Sequence, residues 1–139
     1  MEEDEAELFI EAQDRVWSDV IAELSAGKKT THWMWFVFPQ LAELGSSPNS
    51  QLFGLHDVDE ARGYLAHPVL GPRLLEATRL VLQHGDRTPT EIMGEVDAKK
   101  LRSSMTLFAM VGGANPAFQA VIDTFYAGER CPLTLKATA

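Results

Sequence analysis

The feature that most constrains the fold of this chain is an aromatic run at residues 31–40, THWMWFVFPQ. The run holds two of the three tryptophans and one of the four histidines. Side chains this large and apolar are stable only when most of their surface is removed from water. The run must therefore be buried in a core or line a pocket, and the sequence leaves both interpretations open.

The length of 139 residues corresponds to one domain of ordinary size. The composition, 45% hydrophobic and 23% charged, is typical of a soluble globular protein. We therefore expect a single compact domain over residues 1–139.

The charge of the chain argues against two classes of partner. Twelve Lys and Arg against twenty Asp and Glu give a net charge of −8, which repels nucleic acids and anionic membranes. Neither is expected as a partner. Five acidic residues fall within the first seven positions, so residues 1–6 are predicted to form a frayed, solvated end.

The single cysteine, Cys131, excludes an internal disulfide and favours a reducing compartment. The acidic N-terminus is unlike the basic start of a secretory signal, and the apolar run is too short to cross a bilayer. These features together predict a cytoplasmic protein.

Apolar residues recur at helical spacing along most of the chain. Phe9, Ala12, Val16, Val20 and Leu24 mark a first amphipathic helix, which Gly27 is placed to end. Further helices are expected over 58–67, from Pro68 to Gly85, from Thr88 to Gly94, from Asp97 to Gly112 and from Pro116 onward, whereas 42–49 is predicted to be a loop and 128–139 an irregular tail.

The aromatic run itself fits a short helix that begins after Thr30 or Thr31 and ends at Pro39. Its alternating pattern also suits a strand, but the chain offers no second convincing strand to pair with it. The helix is therefore favoured. The expected fold is all-α, a single compact domain of six to seven short helices.

The common catalytic and cofactor signatures are absent. There is no phosphate-binding loop, no dinucleotide-binding glycine pattern and no His-Glu-x-x-His. The histidines at 32, 56, 67 and 84 lack i, i+4 pairing, and one cysteine cannot build a zinc centre. We predict no metal and no cofactor.

Two segments nevertheless contain more polar and charged residues than core packing requires. In the first, Lys28 to Gln40, two lysines precede the capping threonines, so the helix N-terminus, the two ammonium groups and the His32 ring are predicted to converge where an anion would be stabilised. Gln40 adds a side-chain amide that can both donate and accept a hydrogen bond. The alternative is that the aromatic side chains are core and the lysines form a solvated turn.

The second segment is Lys99 to Phe108, which contains Ser103, Ser104 and Thr106 in a predicted helix. These residues compete for backbone hydrogen bonds and are poor choices inside a helix, so they indicate close helix packing or contact with a polar ligand. A serine one turn from a lysine is also found in Ser-Lys nucleophile pairs, but the order here is reversed and no orienting group is identifiable.

The residues of both segments carry a resemblance to a known family. The chain resembles domain of unknown function 1810, an uncharacterised family of small proteins found in bacteria and fungi. The resemblance implies an all-α fold and brings no established activity. Departures from the expected pattern are Phe53 in place of a tyrosine, Met93 in place of an aromatic residue, and Cys131 in place of an acidic residue before proline. The matching positions include 32–41, 45–48, 70–74, 100–101 and 103–108.

Two hypotheses about function follow. In the first, the two segments enclose a cleft for a small anionic, nucleotide-like molecule, and His32, Ser103 and Ser104 are the catalytic candidates if the protein is a hydrolase. In the second, the chain is a non-catalytic helical module whose aromatic run is core and whose exposed face binds a protein. The ligand-binding residues of the first hypothesis are Lys28, His32, Trp33, Trp35, Gln40, Lys100, Arg102, Ser103, Ser104 and Thr106.

Overall fold

The computed structural model describes residues 1–139 and contains ten α-helices, one short 3-10 turn at Ala42–Leu44 and no strand. The predicted all-α class is confirmed, but the count of six to seven helices is too low. The helices are α1 (Glu3–Asp14), α2 (Trp17–Ala26), α3 (Met34–Val37), α4 (Pro48–Phe53), α5 (Val58–Ala66), α6 (Leu70–Leu82), α7 (Pro89–Met93), α8 (Glu95–Ala109), α9 (Ala117–Phe125) and α10 (Pro132–Ala137).

The first predicted helix is two helices in the structure. The backbone leaves helical geometry at Val16, where φ is −130° and ψ is 2°. The apolar pattern does not reveal this break because α1 and α2 bury the same face: Phe9 in α1 and Val20 and Leu24 in α2 all belong to one core cluster. Hydrophobic periodicity indicates which face of a helix packs on the core, but it cannot detect a bend that keeps this face on the core.

Both chain ends are helical, which contradicts the predicted frayed start and irregular tail. α1 begins at Glu3 and buries Ala6, and its first turn carries Glu3, Asp4 and Glu5 at the end where the helix dipole stabilises carboxylates. α10 begins with Pro132, a residue suited to the first helical position, and buries Thr134.

Local capping signals are confirmed where the chain supplies them. Asp57 accepts a hydrogen bond from the Glu60 amide at the start of α5, and Thr88 and Glu91 form a capping box at the start of α7. The predicted loop at 42–49 hides a third such start, because Ser47 caps α4 and Pro48 is its first residue. No helix is long and apolar enough to span a membrane.

The centre of the fold is α8. It packs against α5, α7, α9 and α10, and every residue from Ser103 to Phe108 is buried. Phe108 lies 5.5 Å from the Tyr64 ring and 5.8 Å from the Phe118 ring. Since α8 is enclosed by its neighbours, its small polar residues allow close approach of those helices.

Candidate functional site

The aromatic run forms the short helix α3 together with its flanks, as favoured over the strand. Trp33, Met34, Val37 and Phe38 are buried in the core, whereas Trp35 and Phe36 remain half-buried. The indole nitrogen of Trp33 donates to the Glu23 carboxylate at 3.2 Å. Most of the run is therefore core.

A lysine does lie against this run, but its charge is already paired. The Lys29 ammonium lies 2.8 Å from the Asp97 carboxylate and 4.8 Å from the centre of the Trp33 ring, and the Lys29 side chain is only 5% exposed. The neighbouring Lys28 and His32 are exposed to solvent. The three cationic side chains expected to converge at the start of the run therefore do not form an anion site. Lys29 is paired with Asp97, and Lys28 and His32 face solvent.

The expected cleft between residues 32–40 and 100–106 is filled by direct contact. The Lys100 ammonium lies 5.0 Å from the centre of the Trp35 ring. The space left between the two segments is about 10 Å³, which holds at most one water molecule.

An open pocket of about 420 Å³ lies immediately beside this contact. We call it the serine pocket. It is bounded by the segment 40–50, by α8 and by the start of α10. Its lining residues are Gln40, Leu44, Gly45, Ser46, Ser47, Ser50, Val96, Lys99, Lys100, Ser103 and Leu133.

The serine-rich wall of the pocket is held by a compact local structure. Ser47 accepts from the Ser50 amide at 3.1 Å, and their two hydroxyl oxygens are 2.8 Å apart. Gly45 allows the chain to pass close to this turn, because a Cβ at position 45 would lie 2.5 Å from the Ser50 Cβ. Gly45 and Ser47 are therefore structural requirements of the wall.

The same wall is attached to the core at both ends. Leu41 and Leu55 form an isolated parallel bridge, in which the Leu55 amide donates to the Gln40 carbonyl at 2.9 Å and the Ala42 amide donates to the Leu55 carbonyl at 2.8 Å. This fixes Gln40 at the edge of the pocket. Its side-chain amide has no hydrogen-bond partner in the protein and is available to a ligand.

The electrostatics of the serine pocket favour an anion. Lys99 and Lys100 both line it, and no Asp or Glu does. Lys99 is exposed and forms no ion pair, while Lys100 has only a long contact of 3.8 Å to Asp97. The pocket is therefore locally cationic although the chain as a whole has a net charge of −8.

Cys131 lies behind the pocket wall, with its sulfur 3.3 Å from the Ser103 hydroxyl oxygen. Burial raises the pKa of the Cys131 thiol, but the hydrogen bond with the Ser103 hydroxyl and the nearby polar groups of Thr134 and Leu133 outweigh burial and hold this pKa below its usual value. Several donors therefore face this side chain, which makes the site favourable for a negative charge.

Comparisons with known proteins decide the family. A family model described as "Protein of unknown function (DUF1810)" matches residues 3–138. The chain belongs to the DUF1810 family. Its structure is similar to the crystal structure of the conserved hypothetical protein Rv1873 from Mycobacterium tuberculosis, with 47% sequence identity, a TM-score of 0.93, and coverage of 95% of this chain and 94% of that chain. No curated protein matches the chain.

In this DUF1810 protein the structure brings together only some of the predicted site residues. Gln40, Lys100 and Ser103 share the serine pocket, and Trp35 touches its edge through Lys100. Lys28, His32 and Trp33 do not line it.

The remaining predicted residues have roles inside the fold. Arg102 donates to the Glu129 carbonyl at 2.9 Å and lies 5.8 Å from the centre of the Tyr126 ring, so it ties α8 to the chain before α10. The Thr106 hydroxyl accepts from the Cys131 amide at 2.9 Å. The buried Ser104 hydroxyl has no partner.

The three catalytic candidates are not assembled into one site. Ser103 lines the serine pocket, Ser104 is buried without a partner, and His32 is exposed elsewhere. None of the four histidines of this DUF1810 protein lines the pocket. The structure also contains no group of three or more His, Cys, Asp or Glu side chains placed to hold a metal ion.

Sequence reasoning missed most of the serine wall and one of the two pocket lysines, Lys99. The segment 45–50 contains two signals that were available: Ser47 followed by Pro48, which is a helix start, and a glycine placed before it. Recognising α4 would have indicated a structured wall in place of a loop. The lining residues missed are Leu44, Gly45, Ser46, Ser47, Ser50, Val96, Lys99 and Leu133.

Proposed function

We propose that this DUF1810 protein binds a small anionic molecule in the serine pocket. The observation that carries the proposal is that Lys99 and Lys100 line the pocket while no carboxylate does. A phosphate ester or a carboxylate would supply the missing negative charge, and charge-assisted hydrogen bonds are about twice as strong as neutral ones. The volume of about 420 Å³ is within the range of small-molecule sites.

The polar groups around the two lysines would orient the anion. Gln40 offers an unpaired amide, and the hydroxyl of Ser46 forms no hydrogen bond within the protein. At the pocket mouth, Val96 and Leu133 are 67% and 64% exposed. A ligand with one anionic end and an apolar part would contact the lysines and both of these side chains.

We propose binding in preference to hydrolysis because no histidine or carboxylate lines the pocket beside Ser103 to take its proton. Its hydroxyl lies 3.2 Å from the Lys99 carbonyl and 3.3 Å from the Cys131 sulfur, and no histidine lines the pocket. A serine nucleophile needs an adjacent group that takes its proton.

A second candidate function is protein binding at the same surface. Val96 and Leu133 are among the most exposed large apolar side chains of the chain, and both stand at the mouth of the pocket. A partner that places an acidic side chain in the pocket would cover them. This candidate keeps the cationic pocket and replaces the small molecule with a protein.

The test is isothermal titration calorimetry with a panel of phosphate esters and carboxylates. Lys100→Met should weaken the binding of any anion that binds by about ten-fold, which corresponds to the loss of about 1.4 kcal/mol. Lys28→Met is the matched control, since it removes an exposed lysine that does not line the pocket. Circular dichroism checks that both variants fold.

Equal binding by wild type and Lys100→Met would contradict the small-molecule proposal. If no anion binds but Leu133→Asp abolishes the capture of a protein that wild type retains, the protein-binding candidate is favoured.

A further inference from the structure

A second pocket lies on a different part of the surface and shares no lining residue with the serine pocket. Its volume is about 480 Å³, and it is formed by the end of α5, the start of α6 and the turn between α8 and α9. Its floor is apolar and includes Leu65, Leu75 and Phe118. We call it the glycine pocket because Gly112 and Gly113 form one of its walls.

Nothing in the protein's own structure requires a glycine at position 112. Its φ is not positive, so any residue could adopt its backbone conformation, and a Cβ at position 112 would meet no atom within 4 Å. Glycine makes the unfolded chain more flexible and is destabilising where nothing requires it. An absent side chain at the edge of a pocket is explained if a ligand approaches the backbone there.

Two other glycines that line this pocket are each required by the protein's own structure. Gly113 has a φ of +77°, which side chains rarely adopt, and a Cβ on Gly71 would lie 2.1 Å from the Leu65 carbonyl oxygen. Backbone conformation requires the first glycine, and close helix packing requires the second. Gly112 meets neither condition.

The glycine pocket offers several free hydrogen-bond donors. The amides of Gly112 and Gly113 donate to no acceptor in the protein. The Asn115 side-chain oxygen accepts from the Ala117 amide at 2.9 Å, which leaves its NH₂ group free. Arg62 lines the same pocket and is 53% exposed, and no carboxylate lines it.

Arg62 is partly engaged, but its partner does not neutralise the pocket. One guanidinium nitrogen contacts Asp59 at 2.5 Å, and the Asp59 side chain is 87% exposed. Such surface pairs are worth little in free energy, and a guanidinium carries further donors that can serve a ligand. The charge complement of this pocket is therefore an anion.

We propose that the glycine pocket binds a small amphipathic carboxylate. The apolar part of the ligand packs on Leu65, Leu75 and Phe118. The carboxylate accepts from the amides of the Gly112–Gly113 turn, from Asn115 and from Arg62. Gly112 has no side chain because a methyl group would occupy the space through which the ligand reaches the backbone.

The test is an NMR titration of the full chain with octanoate, compared with octanamide as the neutral probe of the same shape. Octanoate is expected to shift the amide resonances of Gly112, Gly113 and Asn115 in a saturable way, and octanamide to bind about ten-fold more weakly. Equal binding of the two probes, or no saturable shift up to the solubility limit of octanoate, overturns the proposal. Shifts confined to the serine pocket also overturn it.

Two variants test the residues. Gly112→Ala is expected to keep or raise the melting temperature and to weaken octanoate binding about ten-fold. A folded Gly112→Ala that binds octanoate as wild type does, or a variant that fails to fold, would contradict the argument, since a folding failure would show that the protein itself needs this glycine. Arg62→Gln should remove the preference for octanoate over octanamide, whereas Arg79→Gln, an exposed arginine of α6 outside the pocket, should retain it.

Discussion

Glu23 anchors the chain that leads into the aromatic helix, and its removal is the sharpest test of the fold. One carboxylate oxygen accepts from the amides of Thr30 and Thr31 at 2.6 and 2.9 Å and from the indole of Trp33 at 3.2 Å. The other accepts from the Thr31 hydroxyl at 2.6 Å. The carboxylate thus connects α2 to the buried tryptophan.

The expected loss can be worked out from these partners. In Glu23→Ala the buried indole N–H of Trp33 has no acceptor, which costs about 1–3 kcal/mol. Water can replace the acceptor for the exposed Thr30 and Thr31, so their loss adds about 1 kcal/mol. The total is about 2–4 kcal/mol, which lowers the melting temperature of a chain this size by about 6–14 °C.

Glu23→Gln is the matched control. The glutamine carbonyl oxygen replaces the oxygen that accepts three of the four hydrogen bonds, and the Thr31 hydroxyl can turn to accept from the new NH₂ group. We expect a loss of no more than about 1 kcal/mol. Denaturant unfolding at neutral pH measures both variants.

The pH dependence follows from the pKa of Glu23. Burial raises this pKa, but the hydrogen bonds from Thr31, Thr30 and Trp33 outweigh burial and hold it below its ordinary value. The stabilisation by the charged form is therefore complete above the ordinary carboxyl pKa and is lost as the pH falls through the lowered folded-state pKa. The gap between wild type and Glu23→Ala should narrow in acid. A loss in Glu23→Gln as large as that in Glu23→Ala, or a gap that widens in acid, would refute the reasoning.

Three further predictions concern the central helix and its neighbours. Ser104→Ala should raise the free energy of unfolding by about 1 kcal/mol because it removes a buried hydroxyl without a partner, and a clear loss in denaturant unfolding would contradict this. Gly71→Ala should lower it by about 1–3 kcal/mol, since the new Cβ would lie 2.1 Å from the Leu65 carbonyl oxygen; an unchanged midpoint would show that α5 and α6 separate easily. The pKa of Cys131, followed by thiolate absorbance in the ultraviolet, should lie below that of a free thiol and rise in Ser103→Ala, so the stabilisation that wild type gains as the pH rises through the folded-state pKa should be smaller in the variant.

Local signals were enough to predict those parts of the fold that are locally determined. Asp57 and Thr88 start their helices through hydrogen bonds to residues three positions away, and Gly27 ends α2 with a φ of 72°. The break before α2 has no such signal, since Val16 continues the apolar pattern. The long-range bridge between Leu41 and Leu55 also lies outside what periodicity can detect.

The sequence predicts an anion-binding site, but only some of the residues that line the serine pocket. The polar ends of the aromatic run predict Gln40, and the segment Lys99 to Phe108 with its Ser and Thr residues predicts Lys100; the structure places both in the serine pocket. The sequence predicts Lys28 as a ligand-binding residue, but Lys29 is the lysine that turns inward to Asp97. Which of two adjacent lysines in a loop faces the protein depends on backbone angles set by distant contacts, such as the Lys29 amide donating to the Ile92 carbonyl at 2.7 Å.

The bridge between Leu41 and Leu55 separates a segment that can vary in sequence from the helical body. Residues 42–54 start and end at this bridge, and Phe53 attaches the segment to the core. Because closing a somewhat longer or shorter loop changes the entropy only slightly, insertions and substitutions at its exposed positions, such as Ser46 and Asn49, are expected to be tolerated while the bridge, Gly45 and Phe53 are kept. Natural variation can thus change which anion the serine wall accepts while the helical body stays unaltered.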